Sequence, residues 1–407
     1  MRPRERLRVA LFTYGVQPRG GVVHALSVAE ALAGLGHDAV LFALDETGRG
    51  LFRPARCRTV LVPTDRARAE AGSQAPAILP FIRRGIAAYL AALGPELRGF
   101  DILHAQDGIS GNALATLVER GAIDGYVRTV HHLDAFSDPE LAALQDRSVR
   151  CAERVYAVSA VWQRTIAERF GRRVDVVPNG VDLDRFSPLG AAERGALRER
   201  LGFAGGPLFV TIGGVEARKN AVGTLEAFAL VRTALPTARL VIAGGASVFD
   251  HGTYRRAFDA RAAERGLRLG SDVVVTGPAA DEEITALLRA ADALVFPSLM
   301  EGFGLVALEA LACGTPAVVS DREPFTEHLG PGDALFVDPD DPRSIAAGML
   351  RALDPVVAAA LRIRGLALVA TRTWAGSAAV HADRYRDLLV AKEVARARDA
   401  VRGPVAR

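Results

Sequence analysis

The chain has 407 residues, 50% of them hydrophobic and 24% charged, which suits a soluble protein with two cores of about 150–200 residues each. Its 50 basic and 47 acidic residues leave a formal charge of only +3, and the arginines are scattered through helical stretches, which excludes a dense nucleic-acid-binding surface. Cys57, Cys151 and Cys313 are odd in number and far apart, which excludes a disulfide framework or a Cys/His metal centre and points to reduced thiols in the cytoplasm.

Taken in chain order, the basic start Arg2–Arg8 followed by Val9–Phe12 imitates a secretory signal. Its apolar run is too short, and Leu7–Phe12 is expected to be a first buried strand. A helix over Gly20–Gly34 and a strand over Asp38–Ala43 follow. Further strands are expected at Asp101–His104, Gly125–His131, Arg154–Val158 and Asp175–Pro178, with a turn at Asn179–Asp182. Between them lies Pro80–Leu90, a helix with arginines beside an apolar side. Its ordinary reading is a helix whose apolar side meets the sheet; the alternative is weak peripheral contact with the inner membrane face. The loops over 45–80 and 105–112 carry no chemistry legible from the sequence.

Pro188, Gly190, Gly202, Gly205 and Gly206 around a charged helical piece mark a linker. A second series opens with strand Leu208–Ile212 and continues through a helix at Thr224–Leu235 and strands at Ala238–Ala243, Val273–Thr276, Ala293–Phe296 and Ala317–Ser320. Helices are expected near 281–290 and 304–313. Alternation of short β-branched runs with helical patterns is the mark of parallel βα sheets. The domains expected are 1–185, a linker at 186–206, a second domain at 207–373, and a C-terminal helix over 374–407 packing back toward the first domain. No apolar stretch is long enough to span a membrane.

In such sheets ligands bind beyond the carboxyl ends of the strands, so candidate residues are sought there. Glu301-Gly302-Phe303-Gly304-Leu305, continuing to Glu309, follows a strand and enters a helix. The glycines allow close backbone approach, the helix start offers N–H groups to an anion, and the two carboxylates can accept from vicinal hydroxyls. Gly213-Gly214-Val215-Glu216-Ala217-Arg218-Lys219-Asn220 follows the first strand of the second series. Only Lys219 and Lys392 among the 50 basic residues are lysine, so the choice of a compact ammonium at 219 stands out. Gly20 and Gly21 follow the very first strand. Val130-His131-His132-Leu133-Asp134 ends another, and adjacent histidines on extended backbone point opposite ways; His24 is expected to pack or cap. Asp107 and Asp134, each just beyond a strand, are further polar candidates. No Asp-x-Asp motif offers a metal site.

On Glu301 and Glu309, separated by seven residues around a Gly-Phe-Gly turn, and on Asn179–Asp182, Ala312–Pro316 and Trp374, the chain resembles the family-4 retaining glycosyltransferases of GT-B fold over nearly its full length. The resemblance implies two doubly wound Rossmann-like domains facing an interdomain cleft, with a C-terminal crossover helix. It implies that Glu301 meets the donor sugar and Glu309 the nucleotide ribose, that Lys219 neutralises the leaving diphosphate, and that His131 contacts the donor sugar. It places Gly20 and Gly21 beneath the diphosphate and the base near Gly277-Pro278. Many members carry an arginine where this chain has Gly214, and Arg218 is the expected substitute. The reaction implied is sugar transfer from a nucleotide-diphosphate donor to a sugar, small-molecule or lipid-linked acceptor, whose hydroxyl Asp107 or Asp134 could orient, without catalytic metal or other cofactor; retention could come from front-face attack or from a covalent intermediate, and the front-face route is favoured because no carboxylate is an obvious nucleophile. The alternatives are a sugar phosphorylase, a nucleotide-sugar epimerase, or a nucleotide-sugar-binding subunit with little turnover.

Overall fold

The computed structural model describes residues 5–64, 78–245 and 252–402, with side chains to 398. The residues at 1–4 of the basic start and 65–77 of the loop over 45–80 lie outside the described residues.

The chain forms two compact units, one of residues 1–178 with 374–407 and one of residues 179–373. The first holds strands β1 (Arg8–Thr13), β2 (Asp38–Asp45), β3 (Arg58–Pro63), β4 (Ile102–Ala105), β5 (Val127–Val130), β6 (Arg154–Ala157) and β7 (Val174–Val176). They run parallel in the order β3-β2-β1-β4-β5-β6-β7. Both faces of the central strands are covered, which is why β1, β2 and β4 read as nearly continuous apolar runs. Register pairs Phe12 with Phe42, and their rings stack 4.9 Å apart. The buried Tyr89, on the helix Ile78–Ala92, donates its one hydroxyl proton between the Thr13 and Phe42 carbonyls, which lie 2.6 and 3.0 Å from its oxygen. Phe81, Ile82, Ile86 and Leu90 of that helix pack on the same core, so its apolar side meets the sheet.

The second unit holds β8 (Leu208–Ile212), β9 (Arg239–Ala243), β10 (Val273–Gly277), β11 (Ala293–Phe296), β12 (Ala317–Ser320) and β13 (Leu335–Val337), parallel in the order β10-β9-β8-β11-β12-β13. Its core gathers Phe209, Phe228, Leu240, Phe258 and Met349. Two parallel α/β units with a long C-terminal helix are the fold class expected from the sequence.

That helix, Trp374–Arg402, belongs to the first unit and packs on the helix Gly20–Gly34. Trp374, Ala378, His381, Ala382, Tyr385 and Leu388 form its buried stripe, at the three- and four-residue spacing of one helical face. Among the described residues no helix is long and apolar enough to cross a membrane.

Candidate functional site

Strand order reverses between β8 and β11, so the loops leaving their carboxyl ends part to either side and open a crevice at this point of the second unit. The β8 loop bears Lys219 and the β11 loop bears Glu301. Lys219 Nζ lies 2.5 Å from Glu301 Oε1, and Arg218 Nη1 stands 3.2 Å from the same oxygen and 3.2 Å from the Met300 carbonyl that it donates to. The Leu299 N–H donates to the Arg218 carbonyl at 2.9 Å and sews the loops together.

Local backbone explains why glycines occupy the loop start. Gly213 has φ 122°, and a Cβ there would stand 2.8 Å from Lys219 Cε; the lysine stem lies across this bare position. The ammonium itself sits 4.4 Å from the centroid of the Phe296 ring, a favourable cation–π distance. Burial lowers the Lys219 pKa from the lysine range, Glu301 opposes this, and Arg218 adds to it. Burial acts to raise the Glu301 pKa, but the charges of Lys219 and Arg218 outweigh it and hold the carboxyl below its ordinary value. Glu301 is thus an ionised acceptor beside two cations.

The turn after Glu301 is equally constrained. Phe303 stacks on His328 at 4.2 Å and 10°. Gly304 has φ 86° and meets Phe325 so closely that a Cβ would lie 2.4 Å from its ring. Leu305 opens the helix Leu305–Ala312, and no side chain caps its start; the Ala307 N–H donates to the Gly304 carbonyl at 3.0 Å, and a helix start of this kind favours an anion. Glu309 lies one turn inside. Burial pushes its carboxyl up to about 7, with Arg185 lowering and Asp281 raising it, and Arg185 is itself ion-paired to Asp281. Gly277 ends β10 with φ 72°, its carbonyl accepting from the Gly244 N–H at 2.9 Å.

The remaining sequence candidates lie in the first unit. Gly20 and Gly21 begin the helix Gly20–Gly34 beyond β1, and a Cβ on Gly21 would stand 3.4 Å from the His131 ring. His131 follows β5. Burial, then the neighbouring His24 and Arg128, hold it well below the usual histidine range, and among the described residues its buried Nε2 has no partner. His132 points the other way, 3.5 Å from Asp134. His24 is fully buried, its ring edge-on to His131 at 4.8 Å and to Trp374 at 5.5 Å. Asp107 caps the helix Gly108–Glu119 by accepting from the Ser110 N–H at 2.8 Å, and burial raises its carboxyl pKa. Asp134 is half-buried, and its N–H donates to Gln145.

The fold thus brings Lys219, Arg218 and Glu301 into one ionic cluster. It sets Glu309 in a separate electrostatic neighbourhood with Arg185 and Asp281. Gly20, Gly21, Asp107, His131 and Asp134 reside in the other compact unit. Sequence reasoning missed Asn220, Phe325 and His328, whose contacts with these loops come from segments distant in sequence. Among the described residues no group of three or more His, Cys, Asp or Glu side chains is placed to hold a metal ion.

Residues 193–355 match the family model for glycosyl transferases group 1, and residues 18–185 match that for Glycosyltransferase Family 4. The D-inositol 3-phosphate glycosyltransferase of Thermobispora bispora is 30% identical over 405 residues, covering 92% of this chain and 91% of that protein. The mannosylfructose-phosphate synthase of Agrobacterium fabrum is 30% identical over 206 residues, and there the match spans 50% of this chain and 45% of the relative. Among solved structures, the sucrose-phosphate synthase of Thermosynechococcus elongatus superposes with a TM-score of 0.75 at 24% identity, covering 95% of this chain and 100% of the other. Anabaena HepE in complex with UDP-glucose gives 0.72 at 17% identity, with 95% and 100% covered. These two likenesses establish the fold.

Proposed function

The chain belongs to the group 1 superfamily of GT-B glycosyltransferases, and from that premise we propose that it transfers a sugar from a nucleotide-diphosphate donor to an acceptor hydroxyl, with retention of configuration and without a catalytic metal. The observation that carries this reading is the Lys219–Arg218–Glu301 cluster at the β8/β11 switch point, beside an uncapped helix start.

Departure of a nucleoside diphosphate needs positive charge where the leaving oxygen develops its negative charge. Lys219 offers an ammonium with three donors, only one of which Glu301 requires. Arg218 and the N–H groups at residues 303–305 supply the rest of the grip, with Gly302 and Gly304 allowing close approach. Fixed cations then perform the service that a metal supplies elsewhere. Glu301 accepts from donor-sugar hydroxyls and Glu309 from the ribose, while Gly277 lines the base. On the acceptor-side unit we assign His131 to the donor sugar, Gly20 and Gly21 to the diphosphate loop, and Asp107 or Asp134 to orienting the acceptor hydroxyl. Front-face attack accounts for retention without a carboxylate nucleophile; a trapped glycosyl-enzyme adduct would overturn that route.

Two aligned relatives are named D-inositol 3-phosphate glycosyltransferase and mannosylfructose-phosphate synthase. We therefore propose a polyhydroxylated acceptor, whether a free sugar, another small molecule or a lipid-linked one. Cys57 and Cys313 have thiols pushed up to about 12 by burial, which makes them poor nucleophiles; a cytoplasmic location is proposed on the odd, widely spaced cysteines alone. Peripheral contact with the inner membrane face is tested by flotation with anionic vesicles.

The deciding experiment is nucleotide release from UDP-, GDP- and ADP-sugars with a panel of acceptors. A hexosyltransferase releases nucleotide in step with glycosylated product. Sugar release that requires free phosphate and no nucleotide would identify a phosphorylase, and epimerised donor without transfer an epimerase. Donor binding without turnover would leave a binding subunit.

A further inference from the structure

We propose that Asn220 is a positioning residue that fixes Lys219 against Glu301. The inference rests on the reading of Lys219 as the leaving-group cation, and it concerns how that cation is held. Asn220 is the only non-glycine residue with positive φ among the described residues, at φ 58° and ψ 43°. This left-handed conformation is costly for a side-chain-bearing residue, although asparagine tolerates it better than most. Were a backbone bend the sole requirement, glycine would supply it without strain. The carboxamide must therefore have work of its own.

That work is not helix capping. Asn220 stands at the N-cap of the helix Ala221–Ala234, yet its side chain makes no capping hydrogen bond. Instead Nδ2 donates to the Pro297 carbonyl at 3.2 Å and to the Pro339 carbonyl at 2.6 Å. Pro297 directly follows β11 and lies four residues before Glu301; Pro339 follows β13. One residue earlier than Lys219, the Arg218 carbonyl accepts from the Leu299 N–H at 2.9 Å. Lys219 is thus bracketed by two ties to the same β11 loop, one from the backbone of its predecessor and one from the side chain of its successor.

The geometry limits what else can serve. Asn220 is buried, with 8% of its surface exposed, so a lost donor is not replaced by bulk water and two carbonyls lose a partner. Aspartate shares the shape and the tolerance of left-handed backbone, but when ionised it has no donor and faces two carbonyl oxygens. Glycine keeps the bend and deletes both ties.

Because Lys219 and Lys392 are the only lysines, the test reads them directly. Full-length wild type, Asn220→Gly and Asn220→Asp are pulse-labelled with acetic anhydride, and acetylation of each lysine is followed by peptide mass spectrometry. Lys392, paired with Glu153 at 2.7 Å in the other unit, is the internal reference. Lys219 is expected to label about tenfold faster in both variants relative to Lys392, the order of population shift that follows from losing the two buried hydrogen bonds of the carboxamide. Turnover is expected to fall about tenfold in kcat with a smaller change in donor KM, the pattern of an interaction realised in the transition state. In a Lys219→Ala background, Asn220→Gly should add no further loss, because the asparagine acts through the lysine. Unchanged Lys219 labelling in both variants, or losses that multiply in the double variant, overturns the proposal. Faster labelling in a chain that turns over no nucleotide sugar supports the positioning role while overturning the transferase reading, so the two failures are told apart.

Discussion

The first unit should be unusually sensitive to mild acid, because it buries a cluster of neutral histidines. His104 and His381 are fully buried with ring centroids 5.8 Å apart, and His24 bridges His381 at 5.8 Å to His131 at 4.8 Å. His104 is held by Tyr385 Oη at 2.6 Å from Nδ1 and Thr129 Oγ1 at 2.7 Å from Nε2, while His381 Nδ1 donates to the Ser377 carbonyl at 2.9 Å. Burial depresses His104, His131 and His381, the last to about 4. A ring whose folded pKa lies below its unfolded value of 6.5 binds its proton more readily in the unfolded chain. Stability is therefore fully present above pH 6.5 and is lost as pH falls toward the folded pKa. The three fully buried rings give three protons as the working number; burial also depresses His37 and raises Asp107, which act in opposite senses. At about 1.4 kcal/mol per proton per pH unit, that is about 4 kcal/mol between pH 6 and 5, against a total of about 5–15 kcal/mol for a typical domain.

The second unit should respond far less. There His328, depressed to about 4, and Glu309, raised to about 7, exchange protons in opposite senses over the same window. Both tryptophans, Trp162 and Trp374, lie in the first unit, so urea unfolding followed by tryptophan emission reports that unit alone. With an m-value of about 2 kcal/mol/M, the tryptophan-detected midpoint should fall by about 2 M between pH 6 and 5. His381→Gln should reduce the slope by about a third. Equal midpoints at pH 7.5 and 5.5 would refute the reasoning.

Three further outcomes follow from the second unit. Glu301→Gln leaves Lys219 buried without a full counter-charge and should cost about 3 kcal/mol of stability at pH 7; pairing it with Lys219→Met should recover most of this, as read by urea titration with circular dichroism. Lys219→Ala should lower kcat by about a hundredfold, the effect of deleting one transition-state donor, checked by nucleotide release under saturating donor. Nucleotide release should proceed at an unchanged rate in excess chelator; a loss restored by added divalent cation would contradict the fixed-cation grip.

Much of the fold was legible because parallel strands buried on both faces leave unbroken apolar runs. Leu7–Phe12, Asp38–Ala43 and Ala293–Phe296 each fall on a strand within a residue or two. β3 escaped because it is an edge strand with Val62 as its one buried residue, so neither alternation nor an apolar run distinguished it from loop. β13, three residues long, is too short to carry a period. At the site, Lys219 and Glu301 could be read because each lies just beyond a strand in a distinctive setting. Asn220 could not. Its meaning depends on carbonyls 77 and 119 residues away, and one asparagine before a helix reads from sequence as an ordinary cap.

Gly214 joins the two levels of description. In the sequence, it stands where many members of the resembling family carry an arginine, and that departure is the only support for a binding subunit with little turnover. In the fold its Cα faces the backbone of the β9 loop: φ is 76°, and a Cβ would stand 2.5 Å from the Gly245 carbonyl and 2.9 Å from that of Gly244. No side chain fits there unless that loop retreats. Gly244 is locked in turn, since its own Cβ would meet the Gly214 nitrogen at 2.7 Å. The close backbone approach and the absent arginine are therefore one feature, and the guanidinium near Glu301 comes from Arg218 four residues later. Gly214→Arg should lower the stability of the second unit by about 3 kcal/mol, through forced left-handed backbone and overpacking, and should leave nucleotide release no faster. An arginine variant that is both stable and faster would show that position 214 is a lost catalytic residue instead of a packed glycine.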